Sequence, residues 1–186
     1  SAVAADGITF AMIKCGGGDD GLYEDRKFEQ NIQGALANGI QVGVYFYSGA
    51  SNAREAYDEA SYCISLIRDY QITYPVAFDW ELDGDYDSVT EACETFCNVI
   101  SSYGYQPMVY SNRNRWYNNF DGEKIASKYK VWMAAYFGKF YYDSVRWTYG
   151  DDLPNFRYHY DMWQYSSRCY VDGISGQVDV DIAFFG

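Results

Sequence analysis

Along this chain, short apolar runs alternate with longer stretches in which apolar residues recur every three or four positions. The runs predict strands at residues 8–14, 42–47, 76–80, 108–111 and 131–135, and the amphipathic stretches predict helices at 25–38, 53–70 and 88–103. Strands that alternate with helices imply a parallel sheet with the helices packed against it. The junctions are alike: Gly7, Gly39 and Gly104 each stand between a helical pattern and the apolar start of a strand. Glycine suits the left-handed position just past a helix C-terminus, so a strand–helix unit repeats. After residue 136 the helical period fades, and residues 137–146, 161–165 and 177–183 read as strands or irregular structure joined by turns. The expected fold is α/β, an irregular TIM-like barrel of about eight strands whose last part lacks covering helices. Residues 1–6 read as a helix tail with no strand ahead of it, so one strand–helix unit is missing from the pattern. A barrel short of a strand has two open edges, which favour self-association with a second chain.

One run differs from the rest. Val76, Ala77, Phe78, Asp79, Trp80 and Glu81 follow Pro75 and lead into the turn-rich Asp83, Gly84 and Asp85, so a buried strand is expected to stop on two carboxylates. Side chains alternate along a strand. Ala77, Asp79 and Glu81 therefore share one face, opposite Phe78, Trp80 and Leu82, with the two acids roughly 6.5 Å apart along the backbone. Carboxylates held together in a partly apolar pocket push each other's proton affinities apart, so one stays protonated as a general acid while the other is ionised. Glycoside hydrolysis needs this pairing. Asp179 and Asp181 alternate in the same way, opposite Val178, Val180 and Ile182. They can meet the first pair at the open end of a barrel, where such folds hold their active sites.

Composition narrows the chemistry. With 186 residues and 48% hydrophobic content the chain can bury one core, and residues 1–186 read as a single domain. A formal charge of −12 argues against a nucleic-acid partner, which needs clustered positive charge. No signal peptide and no apolar run long enough to span a membrane are seen, so a soluble domain with no membrane partner is expected, one that could be excised from a longer secreted chain. Aromatics reach 20%, with 21 tyrosines, and such rings stack on sugar faces while keeping a polar tip wet. Five cysteines, an odd number without C-x-x-C spacing, suggest buried thiols with room for one disulfide rather than a zinc site.

Other chemistries fit less well. Asp83, Asp85, Asp87 and Glu94 follow the spacing of a calcium loop, yet Ser88 stands where that loop needs glycine. Ser88 and Glu91 read instead as a capping box opening the next helix. His159 is the single histidine, and no G-x-S-x-G elbow or recognisable nucleophilic cysteine accompanies it. No metal and no cofactor is expected.

Several segments in order carry a resemblance: Gly7 to Lys14, Phe28 and Asn31 ahead of Gly39 to Phe46, Pro75 to Glu81, Gly104 to Ser111, Val131 to Tyr136, Trp163 to Ser166, and Gly173 to Asp179. Together they resemble glycoside hydrolase family 25, the muramidases of phage endolysins and bacterial autolysins. The resemblance implies a (β/α)5(β)3 barrel and hydrolysis of the β-1,4 bond between N-acetylmuramic acid and N-acetylglucosamine in peptidoglycan. It implies a secreted or wall-associated bacterial protein, or a phage endolysin, acting on the glycan strand. By position, Glu81 would be the general acid. Asp79 would be its partner, steering the substrate's 2-acetamido group or stabilising the oxocarbenium charge, and Asp179 would complete the acidic cluster. Tyr45, Tyr110, Trp132, Tyr136 and Gln164 would line the sugar groove. The family's first strand, with its aspartate, is absent from the pattern, so a non-catalytic glycan-binding module or an impaired enzyme is the alternative. A family 18-like chitinase fits worse, because its longer acidic motif would need acids where Tyr74 and Ala77 stand.

Overall fold

The computed structural model describes residues 1–137 and 153–185. Its elements in chain order are α1 (Ala2–Ala5), β1 (Phe10–Gly17), β2 (Tyr23–Glu24), α2 (Phe28–Ala37), β3 (Gln41–Tyr47), α3 (Ala53–Ile67), β4 (Val76–Asp79), α4 (Tyr86–Ser102), β5 (Pro107–Asn112), α5 (Arg113–Asn118), α6 (Gly122–Ala126), β6 (Lys130–Ala134), β7 (Met162–Cys169) and β8 (Val178–Ala183). The strands form one sheet in the order β2-β1-β3-β4-β5-β6-β7-β8. Strands β1, β3, β4, β5, β6 and β7 pair in parallel, while the short β2 and the last strand β8 are antiparallel to their neighbours.

Alternation along these strands sorts side chains into two cores. Val42, Val44, Phe46, Phe78 and Val109 face the helices and pack with Ile32, Ala60, Ile64, Phe96 and Ile100. Phe96 touches both Phe46 and Phe78, with ring centroids 6.1 and 5.2 Å away; truncating such a buried ring costs about 3–5 kcal/mol. The other faces meet in a separate inner cluster of Ala77, Met108, Tyr110, Trp132, Ala134 and Met162, against which Phe10, Met12, Tyr45 and Ala183 pack. Residues of β1 and β8, near the two ends of the sheet, thus share one interior, so the sheet curls into a barrel shape. Among the described residues no ladder joins β8 to β1, and the barrel stays open there, as the repeat pattern predicts.

The three junction glycines adopt the expected left-handed backbone, with φ of 99° at Gly7, 71° at Gly39 and 86° at Gly104. Element ends differ in informative ways. Helix α2 begins at Phe28 rather than 25, because Asp25 turns the chain: its side chain accepts the Lys27 amide and its carbonyl the Phe28 amide, each at 2.9 Å. Helix α4 begins before Ser88, and the capping box is not used. Asp85 caps instead, its side chain accepting the Ser88 amide at 3.1 Å. Helices α5 and α6 and strand β2 were not anticipated, being too short to show a period. The expected strand at 137–146 lies outside the described residues beyond Phe137.

Candidate active site

Strand β4 is buried along its whole length, and neighbouring strands fix the segment that leaves it. Its last residue, Asp79, pairs with Tyr47 of β3 and Tyr110 of β5, and its carbonyl accepts the Ser48 amide at 2.8 Å. The buried Ser111 hydroxyl donates to the Trp80 carbonyl at 2.8 Å. Trp80 turns its indole outward against Phe120, centroids 5.7 Å apart. Alternation carries Asp79 to the inner side with Ala77, and Glu81, two residues past the end of β4, acts on Asp79, Tyr47 and Tyr110 and so lies on that side at the strand's mouth.

The carboxylates found from the sequence act on one another. Asp79 is 4% exposed, and its Oδ1 has no hydrogen-bond partner among the described residues. Burial, and then the charge on Glu81, hold its carboxyl well above the usual range, with Lys14 opposing. Burial also raises Glu81, against the pull of Arg115 and Lys14. Asp179 keeps exposed surface, yet the protein crowded behind it raises its carboxyl as well. Asp181, partly exposed, is raised by burial to about 8 while accepting the Trp132 indole N–H at 2.7 Å.

The predicted groove residues converge here too, in two depths. Tyr110, Trp132 and Gln164 are buried and form the floor rather than an open wall. Tyr110 and Trp132 pack with centroids 4.5 Å apart, and Tyr45 meets Trp132 edge-on at 6.1 Å. The Gln164 Oε1 accepts the Tyr110 hydroxyl at 2.8 Å and also the Tyr136 hydroxyl. Tyr136, 40% exposed, and the half-buried Tyr45 are the rings of this group that keep exposed surface. Burial first, and then the nearby carboxylates, raise the hydroxyls of Tyr45 and Tyr136, so both remain neutral donors.

Three residues at this site were missed. Lys14 follows Phe10 and Met12 on the inner face of β1, and its ammonium lies 4.9 Å from the Tyr47 ring centroid and 5.5 Å from that of Tyr23. A lysine in register with inward apolar residues was a legible signal. Tyr47 follows Tyr45 at strand spacing on β3, and its hydroxyl is raised by burial and then by Glu81 and Asp79. Arg115, on the unanticipated α5, donates to the Leu82 carbonyl at 3.1 Å and so reaches the segment bearing Glu81. The acids with calcium-loop spacing have other partners: Asp85 caps α4, and Glu94 pairs with Lys124 and Lys128 at 2.6 and 2.5 Å. Cys15 is fully buried, whereas His159 is exposed and contacts Asp161 at 3.3 Å. Among the described residues, no three His, Cys, Asp or Glu side chains converge as an ion-binding group.

An inward carboxyl pair, raised by burial and floored by aromatic rings, can store a proton and deliver it to an oxygen in the mouth. The sequence profile of Glycosyl hydrolases family 25 matches residues 1–174. The chain belongs to this family. The chain is similar to an autolytic lysozyme of Clostridium acetobutylicum, 27% identical over 187 residues that cover 97% of this chain and 50% of the relative. A lysozyme of Streptococcus phage Cp-1 is 29% identical over 137 residues, covering 68% of this chain and 37% of that one. The solved modular autolysin LytC from Streptococcus pneumoniae superposes with a TM-score of 0.76 at 26% identity, over 97% of this chain and 42% of LytC. This family 25 chain spans about half the length of the curated relatives it matches. Among its described residues no helix is long and apolar enough to cross a membrane.

Proposed function

We propose that this chain is a single peptidoglycan-hydrolysing domain, an N-acetylmuramidase that cleaves the β-1,4 bond between N-acetylmuramic acid and N-acetylglucosamine at the bacterial cell wall. The observation that carries this reading is the inward pair of Asp79 and Glu81 at the end of β4, with Asp79 Oδ1 buried and unpartnered among the described residues. Support comes from the names of relatives, lysozymes among them, and from LytC, which has been solved with a synthetic peptidoglycan ligand.

In this reading Glu81 is the general acid. Its half-buried carboxyl keeps a proton to a higher pH than usual, and it gives that proton to the glycosidic oxygen as the bond to C1 breaks. Asp79 lies deeper and offers its unpartnered oxygen to the 2-acetamido group, whose carbonyl oxygen attacks C1 from the opposite face. Water then opens the cyclic intermediate, giving its proton back to Glu81. Asp179 adds negative charge beside the oxocarbenium-like transition state. Tyr45 and Tyr136 meet the sugars, and Tyr110, Trp132 and Gln164 hold those rings in place.

Comparison of the native chain with Glu81→Gln on purified peptidoglycan tests this. The native chain should solubilise the glycan, and the variant should bind it while losing at least about 100-fold in rate. Equal rates in the two proteins would remove Glu81 from the mechanism. A chain that binds glycan without cleaving it would instead be a glycan-binding module, the reading favoured by a barrel left open between β8 and β1. The same opening supports self-association through unpaired strand edges. Light scattering at rising concentration should show dimers, and a constant monomer mass would exclude them.

A further inference from the structure

The sulfurs of Cys15 and Cys63 lie 3.8 Å apart, and neither residue has any exposed surface. Neither belongs to the candidate active site. Cys15 is the extra residue of a bulge in β1: Lys14 pairs with Tyr45 and Gly16 with Phe46, which leaves Cys15 without a partner on β3. A bulge re-aims the side chain it carries, and this one meets α3. Cys63 stands one turn after Glu59 on the buried face of α3, and Glu59 holds the chain after β3 by accepting the Ser48 hydroxyl at 2.5 Å and the Gly49 amide at 2.8 Å. The two cysteines therefore join elements already fixed against each other behind Lys14.

We propose that Cys15 and Cys63 are a disulfide-forming site, through which the β1 bulge is covalently tied to α3 when the chain folds in the presence of a small-molecule disulfide. A disulfide needs its sulfurs about 2 Å apart. Closing the 3.8 Å gap forfeits the hydrogen bond from Cys15 Sγ to the Tyr45 carbonyl at 3.3 Å. The other cysteines are placed differently. Cys93 and Cys97 also meet through a side-chain hydrogen bond, but they lie one turn apart on the single helix α4, where their Cα–Cβ bonds tilt in the same direction, and Cys169 ends β7.

The reaction balances with oxidised glutathione. One protein thiolate attacks its disulfide and releases one glutathione thiolate; the second protein thiolate then attacks the mixed disulfide and releases the other. Two protons leave the cysteines, and two electrons reduce the oxidant to two thiols. In the folded chain the hydrogen bond with Cys15, and then burial, push the Cys63 thiol up and make it a poor nucleophile. Oxidation therefore belongs to folding, before the pair is sealed.

The test is to unfold the whole chain, refold it in a glutathione redox buffer, and map it by non-reducing peptide mass spectrometry. A Cys15–Cys63 linked peptide should dominate, leaving three of the five cysteines titratable. Closing a loop between residues 48 positions apart should raise Tm by about 10 °C over the dithiothreitol-reduced protein. Cys15→Ala should lose both the linked peptide and the rise. Five titrating thiols, or a dominant linkage through Cys93, Cys97 or Cys169, would overturn the proposal.

Discussion

The indole N–H of Trp132 on β6 donates to Asp181 Oδ1 on β8 at 2.7 Å, across 49 positions of sequence. This bond fixes the ring on which Tyr110 and Tyr45 pack. Asp181→Leu leaves a buried N–H without an acceptor, at a cost of about 1–3 kcal/mol, whereas Asp181→Asn keeps one. Denaturant midpoints of the two variants should separate accordingly, and equal midpoints would show that the bond contributes nothing to stability.

Stability should also fall as pH rises. Asp181 holds its proton to about 8 in the folded chain, against an ordinary value of 3.8. Between those values the folded state binds a proton that the unfolded state has released, so raising the pH through the window favours unfolding. Asp79, Glu81 and Asp179 are raised as well and add to the same slope. Glu55 and Glu94, whose values are lowered, lose stabilising charge only at more acid pH. Melting curves from pH 4 to 9 should show Tm declining upward through this window, with a shallower decline in Asp181→Asn. A rising Tm would reverse the assignment.

Under the proposed mechanism Glu81 must be protonated to act as the acid, so the descending limb of the activity profile should follow its titration. Arg115 and Lys14 both hold its proton affinity down. Removing either charge, by Arg115→Gln or Lys14→Met, should move the limb of kcat/KM to higher pH. A surface control, Lys124→Gln, should leave it in place. An unmoved limb in both site variants would assign the titration to another group.

Glu59 is 3% exposed and outside the acidic cluster, yet it sets the loop beside it. A Cβ at Gly18 would stand 2.1 Å from Glu59 Oε1, so the chain after β1 also passes close over this carboxyl. Glu59→Ala leaves the Ser48 hydroxyl and the Gly49 amide unpaired and should cost about 3 kcal/mol in urea unfolding. A loss under about 0.5 kcal/mol would mean that the loop rearranges freely.

How far the sequence carried depended on whether a residue's role was local. The alternation in 76–82 correctly separated Asp79 and Ala77 from Phe78 and Trp80, because a period of two is fixed by strand geometry alone. The three junction glycines were legible for the same reason, since a left-handed cap needs no distant partner. Asp85 displaced Ser88 as the cap of α4 because two competent cap residues stood three apart, and only packing chooses between them. Arg115 was out of reach, since its link to Leu82 spans 33 positions and rests on a helix of six residues. Trp132, read as a groove residue, is 3% exposed and packs against Tyr45 and Tyr110. Aromatic content could not distinguish the two depths.

The most direct measurement is mass spectrometry of borohydride-reduced fragments released from purified peptidoglycan by the native chain. Cleavage by the Asp79 and Glu81 pair as described yields fragments whose reduced end is muramitol. Fragments ending in reduced glucosamine, or fragments with intact glycan and cut peptides, would contradict it.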